Sequence, residues 1–180
     1  SPVYTNRVVR KNIITNAIGN LYAMPTNSLV DLAGIYLDGK SMAVDILDNY
    51  LYNIPGPAIN SNNGNNVRAT GNLFHKTAIG VRGNLYTWGT INNFVVTSNV
   101  LVPVDVSEVI FQHSFTSLIA ANPGAQVGSL FTLDSNRVYA RAHIPFSVSQ
   151  VANMSLSAWQ GATNEDIRTQ MIPVASEYTL

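Results

Sequence analysis

Val67-Arg-Ala-Thr-Gly-Asn72-Leu-Phe74 sets one apolar residue, a second two positions on, an Asn three after that, and another apolar residue two further. The same order recurs as Val44-Asp-Ile-Leu-Asp-Asn49-Tyr-Leu51 and as Phe94-Val-Val-Thr-Ser-Asn99-Val-Leu101. Two further copies, around Asn12 and Asn136, keep the Asn and the apolar positions that flank it. Three positions before the Asn stand Val9, Ile46, Ala69, Val96 and Leu133; two after it stand Ile14, Leu51, Phe74, Leu101 and Val138. Five copies with both columns filled exceed chance alternation. One copy cannot bury its own apolar face, so copies of this kind stack to share a core.

The spacings between successive Asn residues are 37, 23, 27 and 37. The shortest matches one coil of a parallel β-helix, and the longer ones imply loops inserted between strands. Asn suits the slot because it tolerates left-handed backbone and its amide can bond the same residue one repeat away. A second short strand is expected after the Asn strand, at Ala17-Ile18, Ala58-Ile59 and Ala78-Ile79, with Gly34-Ile35-Tyr36-Leu37 in the same column. Asn60 to Asn66 reads as turn chemistry. The regularity weakens after about residue 103, although Pro103–His113 still alternates like a strand; the last copy legible here is Phe131–Tyr139.

Composition agrees with a β-rich repeat. The 180 residues are 46% apolar and only 11% charged, against roughly 25% charged in an ordinary domain. Ten basic residues balance ten acidic ones, so the electrostatic footprint of a nucleic-acid binder is absent. No apolar run approaches the roughly 20 residues that span a bilayer. Cysteine is absent, which removes thiolate and disulfide chemistry. His75, His113 and His143 lie far apart with no metal-ligand spacing, and neither metal nor cofactor is expected. Near the C-terminus, Met154–Thr163 reads as a short helix capped by Ser155 or Ser157, with Leu156, Trp159 and Gln160 on one face. Such a helix would shield the last repeat. The repeat already runs at Arg7 with no capping segment before it, so an N-terminal β-helix segment or partner chain is expected to cover the first coil.

Three stretches together carry a resemblance: Gly34-Ile-Tyr-Leu-Asp38-Gly39, the Val44–Asn53 copy of the repeat, and Asn65-Asn-Val-Arg-Ala-Thr-Gly-Asn72-Leu-Phe74. They resemble bacterial right-handed parallel β-helix proteins that act on carbohydrates. The tail Leu156-Ser-Ala-Trp-Gln-Gly-Ala-Thr-Asn-Glu-Asp166 is similar to the ending of the same proteins, with Asn164 where their Gly usually stands. The resemblance implies an all-β fold, a right-handed parallel β-helix solenoid in a single domain over 1–180, with one short C-terminal helix. It also implies an extracellular or cell-surface protein.

Within that group, Asp31 and Asp38 are similar to the acid pair of the lacto-N-biosidase type of β-helix glycoside hydrolase. Glycoside hydrolysis needs two carboxyls, about 5–5.5 Å apart for retention and about 6.5–9.5 Å for inversion. With Gly34 allowing the chain to bend, the two acids are expected to meet on one groove; the bland alternative makes Asp38-Gly39 an ordinary turn. Counting three residues past the Ile of each second strand puts Asp38, Asn62 and Arg82 in one column. Arg82, Tyr36, Asn60, Asn62 and Trp88 are therefore the expected oligosaccharide-binding residues, with Tyr86 as a further candidate platform. The catalytic expectation is a glycoside hydrolase using Asp31 and Asp38. Two alternatives stay open: a polysaccharide lyase or epimerase on the same fold, and a non-catalytic glycan-binding or structural β-helix such as a phage tailspike or adhesin segment.

Overall fold

A computed structural model describes residues 7–17, 32–39, 41–85, 91–105, 107–115, 130–140, 146–148, 151–164 and 166–174. Its strands are β1 (Arg7–Arg10), β2 (Ile13–Thr15), β3 (Ile35–Leu37), β4 (Met42–Leu47), β5 (Tyr50–Asn62), β6 (Asn65–Thr70), β7 (Leu73–Leu85) and β8 (Asn92–Thr97). They continue as β9 (Val100–Val102), β10 (Val109–Phe115), β11 (Phe131–Asp134), β12 (Arg137–Ala140), β13 (Phe146–Val148) and β14 (Val151–Met154). Helix α1 (Leu156–Thr163) and strand β15 (Gln170–Pro173) follow. The fold is mostly β, with parallel sheets. None of its helices is long and apolar enough to cross a membrane among the described residues.

One sheet orders its strands β1-β4-β6-β8-β11, every neighbour parallel. Its register runs Val9↔Ile46↔Ala69↔Val96↔Leu133, the column expected three residues before each Asn. The second column, Ile14↔Leu51↔Phe74↔Leu101↔Val138, runs through β2, β5, β7, β9 and β12 of the other sheet. From the second copy onward both columns are buried, and Ile46, Leu51, Ala69 and Val138 are fully so. Burying a Val, Leu, Ile or Phe side chain is worth about 1.5–3 kcal/mol, so these columns dominate the stability of the stack.

Between the columns the Asn residues form a continuous chain of hydrogen bonds. The backbone N–H of Asn12 donates to Asn49 Oδ1, that of Asn49 to Asn72 Oδ1, that of Asn72 to Asn99 Oδ1 and that of Asn99 to Asn136 Oδ1, at 2.9–3.0 Å. Each Nδ2 from Asn49 onward also donates to a carbonyl in the preceding copy: Val9, Ile46, Ala69 and Val96 in turn. Each buried amide thus satisfies backbone groups at a corner where the strands change direction. The ladder Asn residues are not left-handed, contrary to expectation. The residue before each one is: Lys11, Asp48, Gly71, Ser98 and Ser135 all have φ between 54° and 71°.

β5 and β7 are long because they run on past this corner. Their first halves pair Tyr50–Ile54 with Leu73–Thr77; their second halves pair Pro57–Asn62 with Ile79–Asn84, with a register shift between. The second halves lie beside β3 on one side and β10 on the other. Gly34, just before β3, sits at a bend, as expected. A Cβ there would stand 2.6 Å from Leu51 Cδ2 and 2.9 Å from the Ala58 carbonyl, so glycine is needed for close approach. Asn60–Asn66 is only partly a turn, since Asn60 and Asn62 lie within β5 and Asn65 and Asn66 within β6.

One more copy follows the last one legible in the sequence. β15 pairs in parallel with β12, Arg137↔Gln170 to Ala140↔Pro173, and Thr169 takes the Asn slot by accepting the Asn136 N–H at 3.0 Å. Over this end lies α1, with Ser155 as its N-cap accepting from Ala158 N–H and Asn164 left-handed at its C-cap. Its Trp159 is wholly buried, stacked on Phe146 at 5.0 Å and edge-on to Phe111 at 5.6 Å. The antiparallel pair β13–β14 joins the same end.

Candidate functional site

Strands alternate their faces. In β3, Ile35 and Leu37 enter the core, so Tyr36 points the other way; in β5, Ile59 and Ser61 are inward and Asn60 and Asn62 outward. Register brings these outward positions into two columns. Tyr36 pairs with Asn60, Asn60 with Arg82 and Arg82 with Gln112. Two residues along, Asn62 pairs with Asn84, and Asp38 follows directly on the Leu37↔Ser61 pair.

The expected column of Asp38, Asn62 and Arg82 is therefore corrected. Ile59 lies beside Val81, not Ile79, which moves Arg82 into the Tyr36–Asn60 column and puts Asn84 where Arg82 was expected. The shift is an even number of residues, so Arg82 stays on the same face.

The side chains at this face touch. Tyr36 Oη donates to Asp38 Oδ1 at 3.2 Å, and Asn62 Nδ2 donates to the same oxygen at 3.3 Å and to Tyr36 Oη. Asn84 Nδ2 donates to Asn62 Oδ1 at 2.8 Å and to Asn60 Oδ1 at 3.0 Å. Asn60, Asn62, Arg82 and Asn84 are all buried although they face away from the apolar core, whereas Tyr36 is 51% exposed and Asp38 is exposed. Burying polar groups is costly unless they are hydrogen-bonded, and here the amides bond one another. Asp38 precedes a left-handed Gly39, and Ser41 Oγ donates to the Asp38 carbonyl at 2.7 Å. Asp38-Gly39 is thus a turn, and its carboxyl also reaches the polar cluster.

Five of the expected residues, Tyr36, Asp38, Asn60, Asn62 and Arg82, share this face. Asp31, Tyr86 and Trp88 lie outside the described residues. Asn84 was missed in the sequence; its signal, an Asn two positions after Arg82 on one strand, needed the correct register to be read.

The other described acids are placed differently. Asp45, Asp48 and Asp134 pair with Arg68, Arg10 and Arg168 at the surface. Asp166 is buried in the closing end, accepting from Thr169 Oγ1 at 2.6 Å; burial pushes it up to about 6, against hydrogen bonds that favour the charged form. Glu108 is buried near Phe74, Leu101 and Ile110, and burial drives its carboxyl up to about 7. His113 is fully buried against Phe131, and loss of solvent holds its imidazole down to about 3. His75 is half-buried beside Tyr52, with burial and then Lys76 lowering its affinity for protons. His143 lies outside the described residues. Among the described residues, no three His, Cys, Asp or Glu side chains gather as a metal site would require.

Comparison with protein-family models, with curated proteins and with solved structures gives no match to this chain.

Proposed function

We propose that the chain is a right-handed parallel β-helix, a solenoid, and that the face of β3, β5 and β7 acts on an oligosaccharide or polysaccharide as a glycoside hydrolase outside the cytoplasm. The solenoid reading is supported by copies that pair in parallel at spacings of 37, 23, 27 and 37 residues, each bonded through its Asn to the next. The activity rests on one observation: the Asp38 carboxyl stands beside the half-exposed Tyr36 and at the end of a strip of Asn62, Asn84, Asn60 and Arg82. Amides offer donors and acceptors together, the chemistry that matches sugar hydroxyls. A guanidinium adds fixed donors, and a tyrosine ring adds an apolar face with a polar tip. Asp38 serves as one carboxyl of the pair and Asp31 as the other, with Trp88 assigned to sugar binding.

A second reading, a non-catalytic glycan-binding surface, is favoured by the double hydrogen bond on Asp38 Oδ1, which fixes that carboxyl within the frame. Incubation with an oligosaccharide panel, with products read by mass spectrometry, separates the two. Hydrolysis adds water across a glycosidic bond, and Asp38→Asn is expected to slow it about 10²–10⁴-fold, the usual contribution of a general acid or base. Binding without cleavage would move the protein to the second reading, and an unsaturated sugar product would replace hydrolysis with lyase chemistry.

A further inference from the structure

The sequence holds one Asp-Gly step, Asp38-Gly39, and one Asn-Gly step, Asn63-Gly64. At both, the glycine backbone nitrogen can attack the side-chain carbonyl carbon before it, because glycine has no Cβ to crowd the five-membered ring that forms. The fold treats the two steps differently. Asp38 and Gly39 are exposed, Gly39 is left-handed with φ 49°, and the pair follows directly on the last residue of β3. Asn63 is fully buried between β5 and β6, its backbone N–H donating to the Asn84 carbonyl at 2.9 Å. Gly64 is buried beside it, where a Cβ would collide with Ser61 Oγ and stand 3.1 Å from Val67 Cγ2. Ring closure turns the peptide plane and swings the glycine nitrogen toward the side chain, and close-packed residues have no room for that.

We propose that Asp38 is a site of spontaneous isomerisation, passing through a cyclic imide to isoaspartate, while the buried Asn63 is protected. In the first step the Gly39 nitrogen bonds to Asp38 Cγ, and the amide proton leaves with the carboxyl hydroxyl as water. In the second step water adds at the former main-chain carbonyl carbon, and the C–N bond there breaks. The peptide bond then runs through Cβ, and the old main-chain carbonyl becomes the free carboxylate. Water is the only co-reactant. Ser41 Oγ already donates to the Asp38 main-chain carbonyl at 2.7 Å, and a donor at that oxygen stabilises the charge that develops as water adds. Opening therefore favours isoaspartate over return to aspartate. In the product the carboxylate sits directly on Cα, so it leaves Tyr36 Oη and Asn62 Nδ2, which hold Oδ1 in the native form. This chemistry needs no ligand and is independent of the glycan reading.

The test incubates the intact chain for weeks at physiological pH and temperature, folded in buffer and unfolded in urea. Isoaspartate is marked by an isoaspartyl methyltransferase and located by peptide mapping with mass spectrometry. In the unfolded chain the Asn-Gly step is the faster one, since an amide loses ammonia directly whereas a carboxylate must first gain a proton. The expected result is a reversal of that order on folding: isoaspartate accumulates at Asp38 in the folded protein while Asn63 stays intact. The side-chain amide signal of Asn62 should shift in step as its bond to Asp38 is lost. Gly39→Ala should slow the reaction about tenfold or more, a ratio equal to about 1.4 kcal/mol in the barrier, with circular dichroism confirming an unchanged fold. If that variant does not fold, the comparison of folded and unfolded wild-type chain carries the test. Absence of isoaspartate at Asp38 in the folded protein overturns the proposal, as does deamidation of Asn63 that outruns it there. An unchanged rate in folded Gly39→Ala also overturns it.

Discussion

Asn72 does two jobs with one side chain. Its Oδ1 accepts from Asn49 N–H and Asn49 Nδ2, and its Nδ2 donates to the Ile46 carbonyl and to Asn99 Oδ1. Replacing it with Ala strands a buried N–H and a buried carbonyl, at about 1–3 kcal/mol each. Asn72→Ala is therefore expected to cost about 2–6 kcal/mol in urea unfolding, and Asn12→Ala, at the exposed end, no more than about 1 kcal/mol. Equal costs at the two positions would contradict a ladder whose worth comes from burial. Asp166 makes a pH-dependent contribution of known sign. Its folded value of about 6 lies above the 3.8 of the free side chain, so between these values the folded state holds the extra proton and stability falls as pH rises. The penalty is complete above about pH 6 and is worth about 3 kcal/mol at 1.36 kcal/mol per unit. Asp166→Asn should raise stability at pH 7 and flatten the slope between pH 4 and 6, as read from melting temperatures; an unchanged slope would contradict it. Glu108 acts in the same sense up to about pH 7. His113 opposes both, because its neutral buried ring costs stability once pH falls below 6.5.

At the level of elements, what was legible in the sequence had a single chemical cause. Each ladder Asn performs the same hydrogen bonding, so one residue type recurs at one place and the strands beside it can be aligned. The copy at β15 was hidden because Thr169 fills the Asn slot and Asp166 stands three residues before it, where apolar residues stand elsewhere. The second-strand register was hidden for another reason. Ala58-Ile59 and Ala78-Ile79 look like the same dipeptide in the same phase, but β5 carries one extra residue between Ile54 and Pro57, and Ile59 pairs with Val81. A bulge of this kind re-aims the strand that follows: the pairing offset falls from 23 residues at Ile54↔Thr77 to 22 at Pro57↔Ile79, which sets Asn84 rather than Leu85 level with Asn62. Gly34 shows how tightly β3 packs at this site. Gly34→Ala places a methyl against the Ala58 carbonyl and Leu51 and is expected to cost about 1–3 kcal/mol by overpacking. Since β3 carries Tyr36 and leads into Asp38, the proposed glycan binding should weaken along with the fall in melting temperature.

For the whole molecule, closure of the core at one end depends on a few aromatic contacts. Trp159, brought in by α1, covers Phe111 and Phe146, and Phe111 in turn meets Phe131. Trp159→Ala should cost about 3–5 kcal/mol. Hydrogen exchange should show protection lost first in β11, β12 and β15 and last in β4 and β6, because the copies contact mainly their neighbours. The salt bridges add little, being exposed pairs worth about 0–1 kcal/mol each. The candidate site lies on β3, β5 and β7, toward the N-terminal side of these paired copies, since β3 pairs only with β5 among the described strands. The most direct test of its function follows the side-chain amide signals of Asn60, Asn62 and Asn84 by NMR, titrating Asp38→Asn with a panel of oligosaccharides so that binding is seen without turnover. Saturable shifts of these three amides with one sugar class, while Asn72 and Asn99 stay still, are the predicted result. Shifts confined to Tyr50, Tyr52 and His75, or no response to any sugar, would contradict a glycan site at Asp38.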